Sequence, residues 1–141
     1  MDLNAPVSKI MTTNVKAAGP DDATTVLDEL FRQHRIHHVP IVDEDGKLVG
    51  IVSKSDFLYL LRAFGVHESD RFREAAKLRA FKVREIMVEQ VETIRAEEPI
   101  RKAVALFSEN RFRCLPVVDE QGLLTGIITT HDIVRMVNVQ E

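Results

Sequence analysis

A single cysteine, Cys114, excludes an internal disulfide in this chain of 141 residues. It lies between Arg113 and Leu115 in a strand-like run, where a buried structural thiol is expected, because cysteine is among the most buried residue types. No apolar run approaches the roughly 18 residues that a membrane span needs, so no membrane partner is expected. The opening stretch MDLNAPVSKIM has neither the basic nor the apolar region of a signal peptide. Together with the lone thiol, this points to the cytoplasm. A large charge excess is missing too: 19 Lys and Arg stand against 22 Asp and Glu, a net −3 that gives no global attraction to nucleic acid. The sequence also lacks a GxxxxGK(S/T) phosphate loop, a GxSxG elbow and an HExxH zinc motif. No enzyme is expected from these absences.

What the chain does have is one pattern written twice. VSKIM (Val7–Met11) recurs as VREIM (Val83–Met87), and VPIVDEDGKLVGIV (Val39–Val52) recurs as LPVVDEQGLLTGII (Leu115–Ile128). The offset is 76 throughout, no gap is needed between 7–58 and 83–134, and 16 of the 52 aligned pairs are identical. The chain is therefore an internal duplication.

Each copy predicts the same elements. An apolar leader turn precedes a brief strand, around Val15 or over Val91–Ile94. A helix follows, with Asp22 or Glu98 near its N-cap and Pro99 at the first helical position of the second copy. Its buried face is read as Val26, Leu27, Leu30 and Phe31, or as Ile100, Ala103, Val104 and Phe107, at helical spacing. Asp43-Glu44-Asp45-Gly46 and Asp119-Glu120-Gln121-Gly122 suit hairpin loops of about three to four residues. The second strand of each hairpin runs into a helix at Ser53 or Thr129, and Gly65 is placed just past the first of these helices.

The boundaries read as repeat 1 over 1–64, a helical linker over 65–82 and repeat 2 over 83–141. The two sheets are expected to pack about a pseudo-twofold axis that sets two related clefts. In the linker, Ser69 offers an N-cap before Phe72, Ala75, Ala76 and Leu78. The basic residues Arg71, Arg73, Lys77, Arg79, Lys82 and Arg84 form either a solvated helix face or a contact for a partner or phosphate. Glu68, Asp70, Glu74 and Glu85 interrupt them, which argues against a dedicated nucleic-acid arm.

The string h-P-h-h-D-x-x-G-x-h-x-G-h-h-(S/T)-x-x-D, with h apolar, is met by VPIVDEDGKLVGIVSKSD and by LPVVDEQGLLTGIITTHD, each behind a V-x-x-I-M leader. Each copy thereby resembles a cystathionine-β-synthase (CBS) domain, and the pair resembles a stand-alone Bateman module. The likeness covers nearly the whole chain. It implies an α/β (α+β) fold of two β-α-β-β-α repeats and association as a homodimer. It also implies a regulatory adenosine ligand (AMP, ADP or ATP, S-adenosylmethionine or NAD(H)) rather than a catalytic cofactor. The implied function is a ligand sensor whose state is read by a separate regulated protein. The alternatives are a ligand-free structural dimerisation module, or a nucleic-acid or metal binder.

Candidate site residues follow from chemistry and from this resemblance. Ser53 with Asp56, and Thr129 with Asp132, have the spacing of a helix capping box. The same geometry suits a ligand, with the carboxylate accepting from a ribose diol and the hydroxyl and helix-start N–H groups facing a phosphate. Capping and binding are compatible. The family often has a basic residue just before the proline. His37 and His38 stand there in the first copy, Arg113 and Cys114 in the second, so the two sites should not be equivalent. Arginine grips phosphate with paired N–H groups, whereas histidine does so when protonated. By resemblance, Ile51 and Ile127 flank an adenine; otherwise they are core strand residues. Lys54, Arg111 and His131 are secondary candidates, with solvent exposure as the alternative for Lys54 and Arg111. His34, His37 and His38 spell H-x-x-H-H, but ligands so close in sequence rarely converge on one ion, and no metal is expected.

Overall fold

The structure, a computed structural model, describes residues 2–63 and 78–139. The expectations for Gly65, Ser69 and the helix through Phe72, Ala75 and Ala76 lie outside the described residues. The elements run in order as α1 (Thr25–Gln33), β1 (His38–Val42), β2 (Leu48–Ser53), α2 (Lys54–Ala63), α3 (Ile100–Ser108), β3 (Cys114–Val118), β4 (Leu124–Thr129) and α4 (Thr130–Val139). Single 3-10 turns at Val7–Lys9 and Val83–Glu85 form the two leaders. This is the mixed α/β architecture of two hairpin-plus-helix repeats that the sequence leads one to expect. No helix among the described residues is long and apolar enough to cross a membrane.

Both hairpins are antiparallel and carry the same register, with a bulge between Ile41 and Val42 and its counterpart between Val117 and Val118. The loops close on an aspartate: the Asp43 carboxylate accepts the N–H groups of Asp45 and Lys47, and Asp119 does the same for Gln121 and Leu123. The chain then turns through Gly46 and Gly122 at φ of +84° and +83°, a region where a Cβ is strained.

The contacts divide the chain into two compact units that do not follow the sequence repeats. The first unit is Lys16–Gln90, and the second is Met1–Val15 with Val91–Glu141. Each leader therefore packs on the hairpin of the other repeat. In the second unit, Thr12 and Ile127 exchange both backbone hydrogen bonds at 2.9 Å. In the first unit, Val88 and Ile51 do the same at 3.0 Å. Val7 is fully buried in a core with Ile94, Ala103, Leu115, Val117 and Ile128. Val83 is fully buried with Leu27, Phe31, Val39, Ile41, Val52 and Phe57. Full burial of a valine stabilises by about 1.5–3 kcal/mol, so one leader side chain is a substantial anchor. Phe31 of α1 meets Phe57 of α2 with ring centroids 5.6 Å apart.

Two local expectations are corrected, and the role of the acidic residues near the helix N-caps is sharpened. The leading strand of each repeat shrinks to one parallel bridge, Ala18 with Ile41 and Ile94 with Val117. The chain turns away at once, because Asp22 accepts the Gly19 N–H at 2.7 Å and Glu98 accepts the Arg95 N–H at 2.8 Å. These carboxylates thus close the turn before each helix and do not cap the helix itself. Pro99 is the N-cap residue of α3, in an extended conformation, and the helix begins one residue later. The first two α3 amides, of Ile100 and Arg101, donate to the carbonyls of Ala5 and Leu3.

Candidate functional site

The geometry of each hairpin places the predicted residues around the start of the helix that follows it. In the first unit His38 stands opposite Ser53 across the strand pair, and the Lys54 N–H donates to the His37 carbonyl at 2.8 Å. In the second unit Cys114 stands opposite Thr129, and the Thr130 N–H donates to the Arg113 carbonyl at 3.1 Å. The residue before each hairpin is thus tied to the first turn of the helix after it. His37, His38, Ser53, Lys54 and Asp56 share one locality, and Arg113, Cys114, Thr129, His131 and Asp132 share the other. Ile51 is half-buried and Ile127 buried. Each is bridged to a residue of the foreign leader, Val88 or Thr12.

The two hydroxyl–carboxylate pairs differ although their motif is the same. Asp132 accepts the Thr129 N–H at 2.8 Å and the Thr129 hydroxyl at 3.2 Å, both on Oδ2. It is 9% exposed, and its Oδ1 has no hydrogen-bond partner among the described residues. This is a reciprocal capping box with aspartate in the place usually held by Glu or Gln. Ser53 caps only through its hydroxyl, which accepts the Asp56 N–H at 3.1 Å. The Asp56 side chain is exposed, and its carboxylate makes no hydrogen bond among the described residues.

The helix starts themselves offer less to a phosphate than the sequence suggests. The Lys54 and Thr130 amides are bonded to carbonyls, and those of Asp56 and Asp132 to hydroxyls. Among the described residues only the Ser55 and His131 amides remain without a partner there. Basic side chains matter more in consequence. Arg113 is exposed and has no ion pair among the described residues. Arg111 is engaged elsewhere: it pairs with Glu109 at 2.6 Å and lies over the Phe112 ring at 5.2 Å. The Glu109 hydrogen bond holds its guanidinium still further toward the protonated form. Cys114 is buried as expected; burial first, and the Asp132 charge second, push its thiol pKa far up. The thiol stays protonated and unreactive. No group of three His, Cys, Asp or Glu among the described residues is placed to hold a metal ion.

Sequence reasoning missed the leader residues beside each site, Met11 with Thr12 and Met87 with Val88. A Cβ built on Gly126 would lie 2.8 Å from the Met11 sulfur, and one on Gly50 would lie 2.7 Å from the Met87 sulfur. The signal was present as the paired recurrence of I-M and G-I, but a repeat does not say which leader meets which hairpin.

The sequence model of the CBS domain matches residues 7–63 and again 83–138. The chain belongs to the CBS-domain family. This CBS pair is similar to an uncharacterised protein of Methanocaldococcus jannaschii, at 29% identity over 92% of this chain and 89% of that protein. It also matches inosine-5′-monophosphate dehydrogenase of Mycobacterium tuberculosis, but spans only 21% of that enzyme. Among solved structures it is similar to CBSX2 of Arabidopsis thaliana in complex with AMP, with a TM-score of 0.79, 26% identity and coverage of 97% of this chain and 99% of that one. The CBS pair of protein MJ0100, in complex with 5′-methylthioadenosine and S-adenosylmethionine, has a TM-score of 0.78, 28% identity and coverage of 97% and 98%. A CBS pair is a regulatory and non-catalytic part, both alone and within enzymes.

Proposed function

We propose that this CBS pair is a regulatory sensor that binds an adenosine nucleotide or derivative beside the hairpin–helix junctions. AMP, ADP or ATP are favoured over S-adenosylmethionine and NAD(H). One observation carries the reading: Asp132 is nine-tenths buried with Oδ2 fixed and Oδ1 without a partner among the described residues, and Arg113, whose carbonyl accepts the Thr130 N–H at the same junction, has no ion pair among the described residues. A fixed carboxylate suits a ribose diol, and a free guanidinium suits a phosphate through paired N–H groups. The likeness to a pair in complex with AMP supports it. For binding to act as a switch, the ligand must favour one state of the pair over another, and a separate protein would read that state.

The test is thermal denaturation with AMP, ADP, ATP, S-adenosylmethionine and NADH in turn. A ligand at about 100 times its Kd should stabilise the fold by about 2.7 kcal/mol. Flat melting temperatures with all five would sink the adenosine reading and leave the structural dimerisation module standing. We further propose a homodimer, supported by apolar side chains left exposed on α2 and α4: Leu58, Tyr59, Val134 and Val137.

A further inference from the structure

Resting on the adenosine reading, we infer that the two sites fill in order. The second unit, with Thr129, Asp132 and Arg113, takes the phosphorylated ligand first, and the first unit, with Ser53, Asp56 and His37, takes it second and more weakly. Two differences between the units, neither visible in the shared motif, set this order.

The first is preorganisation. Asp132 is held by two hydrogen bonds to one oxygen and is nine-tenths buried, so its open oxygen already has a fixed direction. Asp56 is exposed and unheld among the described residues, so a ligand must immobilise it on binding. Groups fixed in advance lose less freedom when the ligand arrives.

The second is the phosphate partner. Arg113 is always charged, exposed and free of ion pairs among the described residues, and its carbonyl is bonded to the first amide of α4. The first unit has His37 at that position, and the cation at its junction is Lys54, the first residue of α2, whose N–H donates to the His37 carbonyl. A lysine acts as a point charge on a flexible stem, without the two parallel donors of arginine. Cys114 adds no competing charge, since its buried thiol stays protonated. His38 occupies the matching position in the first unit.

Calorimetric titration of the full chain with AMP tests the order. The expected isotherm has a tight and a weak phase separated by about tenfold or more in affinity. Asp132→Asn should weaken the tight phase by about tenfold or more and leave the weak one, while Asp56→Asn should do the reverse. Arg113→Ala touches no cap hydrogen bond and so tests the order independently of folding. It should weaken the tight phase for AMP and reduce the preference for AMP over adenosine at that site. Two equal sites, or loss of the tight phase in Asp56→Asn with Arg113→Ala silent, would overturn the order while keeping the adenosine reading. No binding of AMP, ADP or ATP by the wild type would overturn the order, and the adenosine reading falls with it when S-adenosylmethionine and NADH are also silent.

Discussion

Gly50 and Gly126 show how much one hydrogen in place of a methyl can decide. Alanine at Gly126 would place its Cβ 2.8 Å from the Met11 sulfur and 3.0 Å from the Thr12 carbonyl oxygen. The thioether can swing aside, but the carbonyl belongs to the bridge with Ile127 and cannot move without breaking it. Relief of unfolded-chain entropy would ordinarily make Gly→Ala mildly stabilising. Here crowding wins, and Gly126→Ala should lower stability by about 1–3 kcal/mol, read from urea midpoints. Met11→Ala in the same background should recover only part of the loss. An unchanged midpoint in Gly126→Ala would show that the leader yields freely.

At the scale of elements, the turn before α3 rests on Glu98. Its carboxylate accepts the Arg95 N–H and pairs with Lys102 one turn into the helix. The Lys102 hydrogen bond first, and the Arg95 amide second, hold its pKa below the usual carboxylate range. A lowered folded-state pKa means that this stabilisation is fully present above the unfolded value and fades as pH falls through the folded one. Glu98→Gln should therefore cost about 0.5–1 kcal/mol at neutral pH. Its deficit against wild type should hold above the ordinary carboxylate value of 4.5 and shrink toward zero only as pH falls through the lower folded-state value. A deficit that stays constant with pH, in denaturant midpoints, would rule out the carboxylate's charge as its source.

The hairpins, their glycine turns and the amphipathic faces of α1 and α3 were legible in the sequence because each is a local pattern of a few residues. Asp22 and Glu98 do stand near the helix N-caps, but an acidic residue just before a helix looks the same in sequence whether it closes a turn or caps. The exchange of leaders was hidden for a different reason: VSKIM and VREIM are near copies, so either hairpin could accept either one. The contrast between Asp132 and Asp56 was equally hidden, since both are written (S/T)-x-x-D. It arises from burial, which neighbours in space decide.

For the whole molecule, the question is what covers the apolar side chains of α2 and α4. Tyr59 is 73% exposed and Val134 62%, and Leu58 and Val134 are equivalent positions of the two repeats. A second copy of the chain is the proposed cover. Light scattering should return twice the 16.0 kDa of one chain. Tyr59→Glu with Val134→Glu should bring it back to a single chain with the fold retained. A wild-type mass of one chain would dismiss the dimer.

The exchanged leaders also set a schedule for synthesis. Residues 7–12 leave the ribosome roughly a hundred residues ahead of the strand that Thr12 bridges and the core that buries Val7, which lie near Leu115–Ile128. At about 5–20 residues per second, that apolar leader waits on the order of ten seconds for its partner. The first unit is complete once Gln90 has emerged, whereas the second must wait for its later segment to join residues 7–12. The two units are thus assembled in a fixed order, and the newborn chain must carry Val7, Ile10 and Met11 uncovered until Leu115–Ile128 has been made.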